Sequence, residues 1–224
     1  MVENLPDYIS FIFILTVFLT VYIFYLAAKD SKTVLLVLFV WLIIQGVISF
    51  TKFYTLTNGF PPRFLLVTLP AIVFIIGCFT TSNGRKFIDS LDLQTLTWLH
   101  IVRIPVELVL LRLYLHGAIP KLMTFEGRNF DILSGITAPL IVYFGFTKKT
   151  LNSKWILIWN CTCLGLLLNI IVNAILSAPF PFQQFGFEQP NIAILYFPFI
   201  WLPCCVVPLV LFSHLATIRR LIKK

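Results

Sequence analysis

Charge is what this sequence has least of. Of its 224 residues only 12% are Asp, Glu, Lys or Arg, while 59% are hydrophobic and the mean hydropathy is +0.95. An ordinary soluble domain carries about 25% charged residues, so a soluble fold is excluded before any motif is considered. Cysteine is nearly as uninformative: Cys78, Cys161, Cys163, Cys204 and Cys205 all fall inside apolar runs, which excludes an extracellular disulfide framework. Cys161-x-Cys163 has no second pair at matching spacing, so a closed zinc site is excluded too. HExxH is absent, and three histidines scattered along the chain do not supply the ligands of a membrane metal hydrolase. No lysine lies between Asn191 and Ile218, which removes a retinal Schiff base on the last helix. The first two apolar runs contain no proline and the middle helix is the polar one, both unlike sugar carriers of the three-plus-one-plus-three type. No internal repeat or low-complexity segment is visible, and the connections are short, which predicts one domain over residues 1–224.

What is present is a series of long uncharged runs. A hydrocarbon core of roughly 30 Å needs about 20 residues of helix to cross it. Reading from charge to charge predicts an all-α polytopic membrane protein, a seven-helix bundle with spans near 8–28, 33–51, 64–80, 93–116, 131–147, 155–177 and 191–217. The acidic residues Glu3 and Asp7 before the first run, and its length, argue for a retained span over a secretory signal. With seven spans, one side holds eleven basic residues: Lys29, Lys32, Arg85, Lys86, Lys148, Lys149, Lys154, Arg219, Arg220, Lys223 and Lys224. The other holds four: Lys52, Arg63, Lys121 and Arg128. Basic loops stay in the cytoplasm, which places the N-terminus outside and the C-terminus inside, in a multi-pass protein of the cell membrane. The formal charge of +8 is then a topology signal. No loop is long enough to form the basic face that nucleic acid requires.

The expensive residues lie in the fourth span, which reads Trp98-Leu-His100-Ile-Val-Arg103-Ile-Pro105-Val-Glu107, then Arg112 and His116. At about 100° per residue, His100, Arg103 and Glu107 share one face, with Arg112 and His116 nearly opposite. Three ions at mid-span cost up to roughly 9 kcal/mol, and about thirteen Leu, Ile and Val side chains return only some 4–8 kcal/mol. The helix should therefore be central, with Arg103 and Glu107 paired at i,i+4 and facing protein or a cavity. Pro105 should bend it and leave the Ile101 carbonyl free.

His100 and Glu107 are roughly 10 Å apart along the axis, too far for one metal. His100 and His116 lie about 24 Å apart, so only His214 could share a level with His100, for instance across a haem. Beyond the span, Glu126, Arg128 and Asp131 could close an outward network with Arg112 and His116, although Asn129 or Asp131 would also serve as an ordinary helix N-cap. Asn169 and Asn173 share a face of the sixth span and suit either interhelical glue or pocket lining. The run from Ala178 to Pro190 sets Phe180, Phe182, Phe185 and Phe187 at an interface, as a belt or a re-entrant lid. Pro198, Pro203 and Pro208 should kink or unwind the last helix.

Together these residues predict a small membrane carrier or ligand-binding protein in the lipid bilayer, taking a small or hydrophobic ligand. Its cavity is expected to be lined by His100, Arg103 and Glu107, with Glu107 moving a proton. The alternatives are a membrane enzyme acting on a lipid, quinone or isoprenoid with Glu107 and His100 as catalytic groups, and a non-catalytic subunit of a complex or homo-oligomer. No cofactor can be named from the residues.

Overall fold

A computed structural model describes residues 2, 5–57, 59 and 62–223; Glu3 and Lys224, counted above, lie outside them. Among the described residues every regular element is helical. In chain order these are α1 (Asp7–Ala27), α2 (Lys32–Phe50), α3 (Leu65–Thr80), α4 (Ser82–Ser90), α5 (Leu93–Trp98), α6 (Arg103–Leu115), α7 (Ile132–Ile141), α8 (Ser153–Ser177) and α9 (Val207–Ile222). Among the described residues four helices are long and apolar enough to cross a membrane: α1, α2, α8, and α9 with the π-turn Leu202–Val206 that leads into it. α3 and α4 form a pair bent by 91°, and α7 continues through the π-turn Val142–Thr147 as a shorter apolar helix.

Local chemistry explains most of the helix starts. Ser31 caps α2 by accepting from Val34 N, Thr81 caps α4, Asp92 caps α5 by accepting from Thr95 N at 2.7 Å, and Asn152 caps α8. α1 buries Ile9, Phe13, Val17, Val21 and Phe24, a near four-residue repeat that makes one stripe, against α5 and α6. α5, the 3-10 segment Leu99–Val102 and α6 are contiguous, and Trp98, Leu99, Val102 and Arg103 are all right-handed helical, so the polar span is unbroken from Leu93 to Leu115. The tightening at Leu99–Val102 sits just before Pro105, which cannot donate to Ile101.

Two more prolines place helices against α2. Pro70, inside α3, leaves the Leu66 carbonyl free, and Gln45 Nε2 donates to it at 3.4 Å. Pro208 leaves the Cys204 carbonyl free, and Trp41 Nε1 donates to that one at 2.9 Å. Gln45 is held in turn by Tyr54, whose hydroxyl donates to Gln45 Oε1 at 2.7 Å; both residues are buried. Tyr54→Phe strands that oxygen and is expected to cost about 1–3 kcal/mol in an unfolding titration. A loss below about 0.5 kcal/mol would show that water reaches Gln45.

The last long helix departs from expectation. A helix was anticipated from residue 191, but Asn191–Ile200 is irregular apart from the 3-10 turn Ala193–Leu195, and the π-turn begins only at Leu202. Pro190 and Pro198 remove helical donors, and the remaining amides find partners elsewhere. Asn191 N donates to Ser177 O at 2.8 Å, and Ile192 N and Ala193 N both donate to Ala118 O at 3.1 Å.

That acceptor belongs to a second buried irregular segment, Gly117–Phe130, in which Ala118, Ile119, Met123, Thr124 and Asn129 are almost fully buried. It has a structural task. α6 ends at Leu115, yet the first turn of α7 lies beside His100 and Ile104, where a Cβ on Gly135 would approach the His100 carbonyl at 3.2 Å. Twelve residues of helix rise separate Arg103 from Leu115, about 18 Å. The segment therefore returns along α6 by that distance before α7 starts, and α7 begins in the middle of the bundle.

Candidate ligand-binding site

Because α7 starts at that level, its first residues meet the middle of the polar helix. His100, Arg103 and Glu107 are all buried, none more than 3% exposed, so the shared face read from their spacing does point inward. Arg103 Nη1 donates to Asp131 Oδ1 at 2.6 Å, and Asp131 is itself 5% exposed. Arg103 Nη2 lies 2.9 Å from His214 Nε2. A guanidinium has no acceptor, so Nε2 must accept, which puts the His214 proton on Nδ1 and makes the ring neutral. Nδ1 then donates to Asn160 Oδ1 at 2.9 Å, and Asn160 Nδ2 donates to Ile156 O.

His100 stacks on His214 with ring centroids 3.9 Å apart and planes 16° from parallel. The two rings share a level, as their positions suggested, but at contact distance nothing as thick as a haem fits between them. Ser213 donates its hydroxyl proton to Leu96 O at 2.8 Å, so the 3.5 Å contact between Ser213 Oγ and His100 Nε2 has the histidine as donor. His100 Nδ1 is left buried without a partner.

The i,i+4 pair expected between Arg103 and Glu107 does not form. Arg103 is taken by Asp131, and Glu107 Oε1 accepts from Asn129 Nδ2 at 2.6 Å. Asn129 spends its other capacity on the Met123 carbonyl and on the amide of Asp131, which its Oδ1 accepts at 3.1 Å. Asp131 itself makes no cap bond to α7. Its N-cap reading is thus replaced by an ion pair, and the turn before α7 is organised by Asn129.

The other oxygen of Glu107, Oε2, is buried and has no partner. A cavity of about 120 Å³ lies between α3, α6, α8 and the π-turn Leu202–Val206, walled by Thr68, Val106, Leu110, Met123, Leu167, Ile170, Ala174, Leu202 and Pro203 among others. Glu107 and Asp131 both line it, and the wall is otherwise almost entirely apolar.

The remaining site candidates sit apart. Arg112, His116, Glu126, Arg128 and Asn169 are exposed. His116 Nδ1 turns back to its own helix at the Arg112 carbonyl, 2.8 Å away. Arg128 stands over the Phe185 ring at 5.5 Å while its carbonyl accepts from Asn169 Nδ2. Asn173 is buried but bonds to Asn169, so this pair ties α8 to the returning segment and leaves the cavity wall to apolar neighbours. Among the described residues no side-chain hydrogen bond or ion pair links the side chains of Arg112, His116, Glu126 and Arg128 to one another, and the outward network is not built. Sequence reasoning weighted Asn129, Asn160 and His214 too lightly: Asn160 and His214 are polar residues in apolar stretches, a signal that could have marked them, whereas Asn129 sits among charged neighbours and carries none.

Residues 61–222 match the model of a family described as a domain of unknown function, DUF8737, and the chain belongs to that family. No curated protein and no solved structure matches it. The matched stretch carries every residue of the buried network, while α1 and α2 precede it.

Proposed function

We propose that this protein is a small membrane carrier or ligand-binding protein that takes a small, largely apolar ligand into the cavity beside Glu107. The observation that carries the reading is Glu107, a buried acid that lines an apolar cavity and keeps one oxygen, Oε2, without a partner. A purely structural acid would be fully paired, because an unmet buried polar group costs about 1–3 kcal/mol and more when charged. Apolar pockets with a few placed polar groups are the usual form of small-ligand sites.

The same reading takes the chain through the cell membrane seven times with the N-terminus outside. The four long helices are joined by α3, by the contiguous α5–α6 span, whose ions are met internally, and by α7 with its π-turn. The eleven-to-four distribution of basic residues supplies the orientation. Irregular backbone at mid-depth is admissible because it is covered by protein and its amides are bonded. Proton coupling would run through Glu107, with Asn129 holding one of its oxygens.

Native mass spectrometry of the protein purified in mild detergent tests this. A co-purifying small molecule is expected on the natural protein, absent from Leu110→Trp, which fills the cavity, and at least tenfold depleted on Glu107→Gln. If Glu107→Gln retains binding or transport unchanged at every pH tested, the reading fails.

A further inference from the structure

We propose that the ligand is a cation, a lipophilic amine about the size of a single six-membered ring; the inference rests on the binding reading above. The first argument is charge. Among the described residues Glu107, Asp131 and Thr68 are the polar ones on the wall, and no basic residue lines it. Arg103 is the one buried cation nearby, and two of its nitrogens are already committed to Asp131 and His214. His214 is held neutral by that contact, and His100, stacked behind it, does not line the cavity. Asp131 therefore has its counter-charge, while Glu107 has only the neutral amide of Asn129.

An ammonium in the cavity supplies what Glu107 lacks: an N–H donor to its carboxyl group and a positive charge opposite the acid. An anion would instead meet Glu107, an acid with no counter-charge of its own, in a low-dielectric site where like charges repel most strongly. Size is the second argument. An engineered apolar cavity of about 150 Å³ binds benzene, so the roughly 120 Å³ here takes one ring or a short alkyl chain.

Three probes of nearly equal shape separate the possibilities: benzylamine, benzyl alcohol and benzoate, titrated calorimetrically at pH 7 into the full-length protein in mild detergent. Benzylamine is expected to bind at least tenfold more tightly than benzyl alcohol, with benzoate giving no heat. Glu107→Gln should bring the amine down to the level of the alcohol, and Leu110→Trp should abolish both. Alcohol or benzoate binding as tightly as the amine overturns the cation assignment while leaving the cavity a ligand site. Failure of all three on the folded natural protein overturns the cation assignment and the ligand site with it.

Discussion

Asp131→Ala is expected to lower the unfolding free energy by about 3–5 kcal/mol, a large fraction of the stability of an ordinary domain. The loss is less the pair's net worth than the cost of what remains. Arg103 is 3% exposed, and without Asp131 its guanidinium keeps only the neutral His214 as a partner. Replacing both charges tests that account, because a well-packed apolar pair can equal a buried salt bridge. Arg103→Met with Asp131→Leu should recover more than half of the single-variant loss in an unfolding titration, even though it removes more native contacts. If Asp131→Ala costs under 1 kcal/mol, Arg103 has found water or another carboxylate, and the ion pair is not what holds this turn against α6.

Gly127→Ala is the second large effect, arising from backbone geometry. A Cβ on Gly127 would sit 2.7 Å from Leu122 Cα and 2.8 Å from the Lys121 carbonyl carbon, with no flexible side chain to yield. The turn closes there through Gly127 N to Thr124 O at 2.8 Å, and Asn129 N bonds to the same carbonyl at 3.2 Å. Opening the turn moves Asn129 away from Glu107. The variant should lose about 1–3 kcal/mol of stability, the usual range for overpacking, together with at least tenfold in benzylamine affinity. Gly165→Ala is the control, since nothing lies within 4 Å of a Cβ there. Equal behaviour of the two variants would refute the close approach.

The helices were legible because the membrane makes them so: an uncharged run of about 20 residues has few other structures to adopt. The shared inward face of His100, Arg103 and Glu107 was legible for a similar reason, since helical spacing fixes direction and unpaired charge cannot face lipid. Their partners were not. Spacing offers Glu107 to Arg103, but Asp131, 28 positions away, is delivered to the same level by an irregular segment that carries no periodic signal. The start of the last helix failed on the same physics. Hydropathy weighs how apolar a segment is, and Asn191–Trp201 is apolar while its first amides bond to Ser177 and Ala118 outside any helix. His214 and Asn160 were visible as polar residues in apolar helices, but their roles depend on which helix faces which, and that is decided by packing across the whole chain.

The prolines at positions 70 and 208 have a consequence for how α2 is fastened. Each exposes a main-chain oxygen, at Leu66 and Cys204, and each oxygen is taken by a long α2 side chain, Gln45 or Trp41. The rivets on the receiving side are thus carbonyls, which every amino acid possesses. The side chains at 66 and 204 take no part in these two hydrogen bonds, whereas exchanging either proline for a residue with an amide hydrogen lets the helix reclaim its oxygen and unhook the neighbour. Attachment here is written in the absence of a hydrogen, four residues downstream of the atom that does the holding.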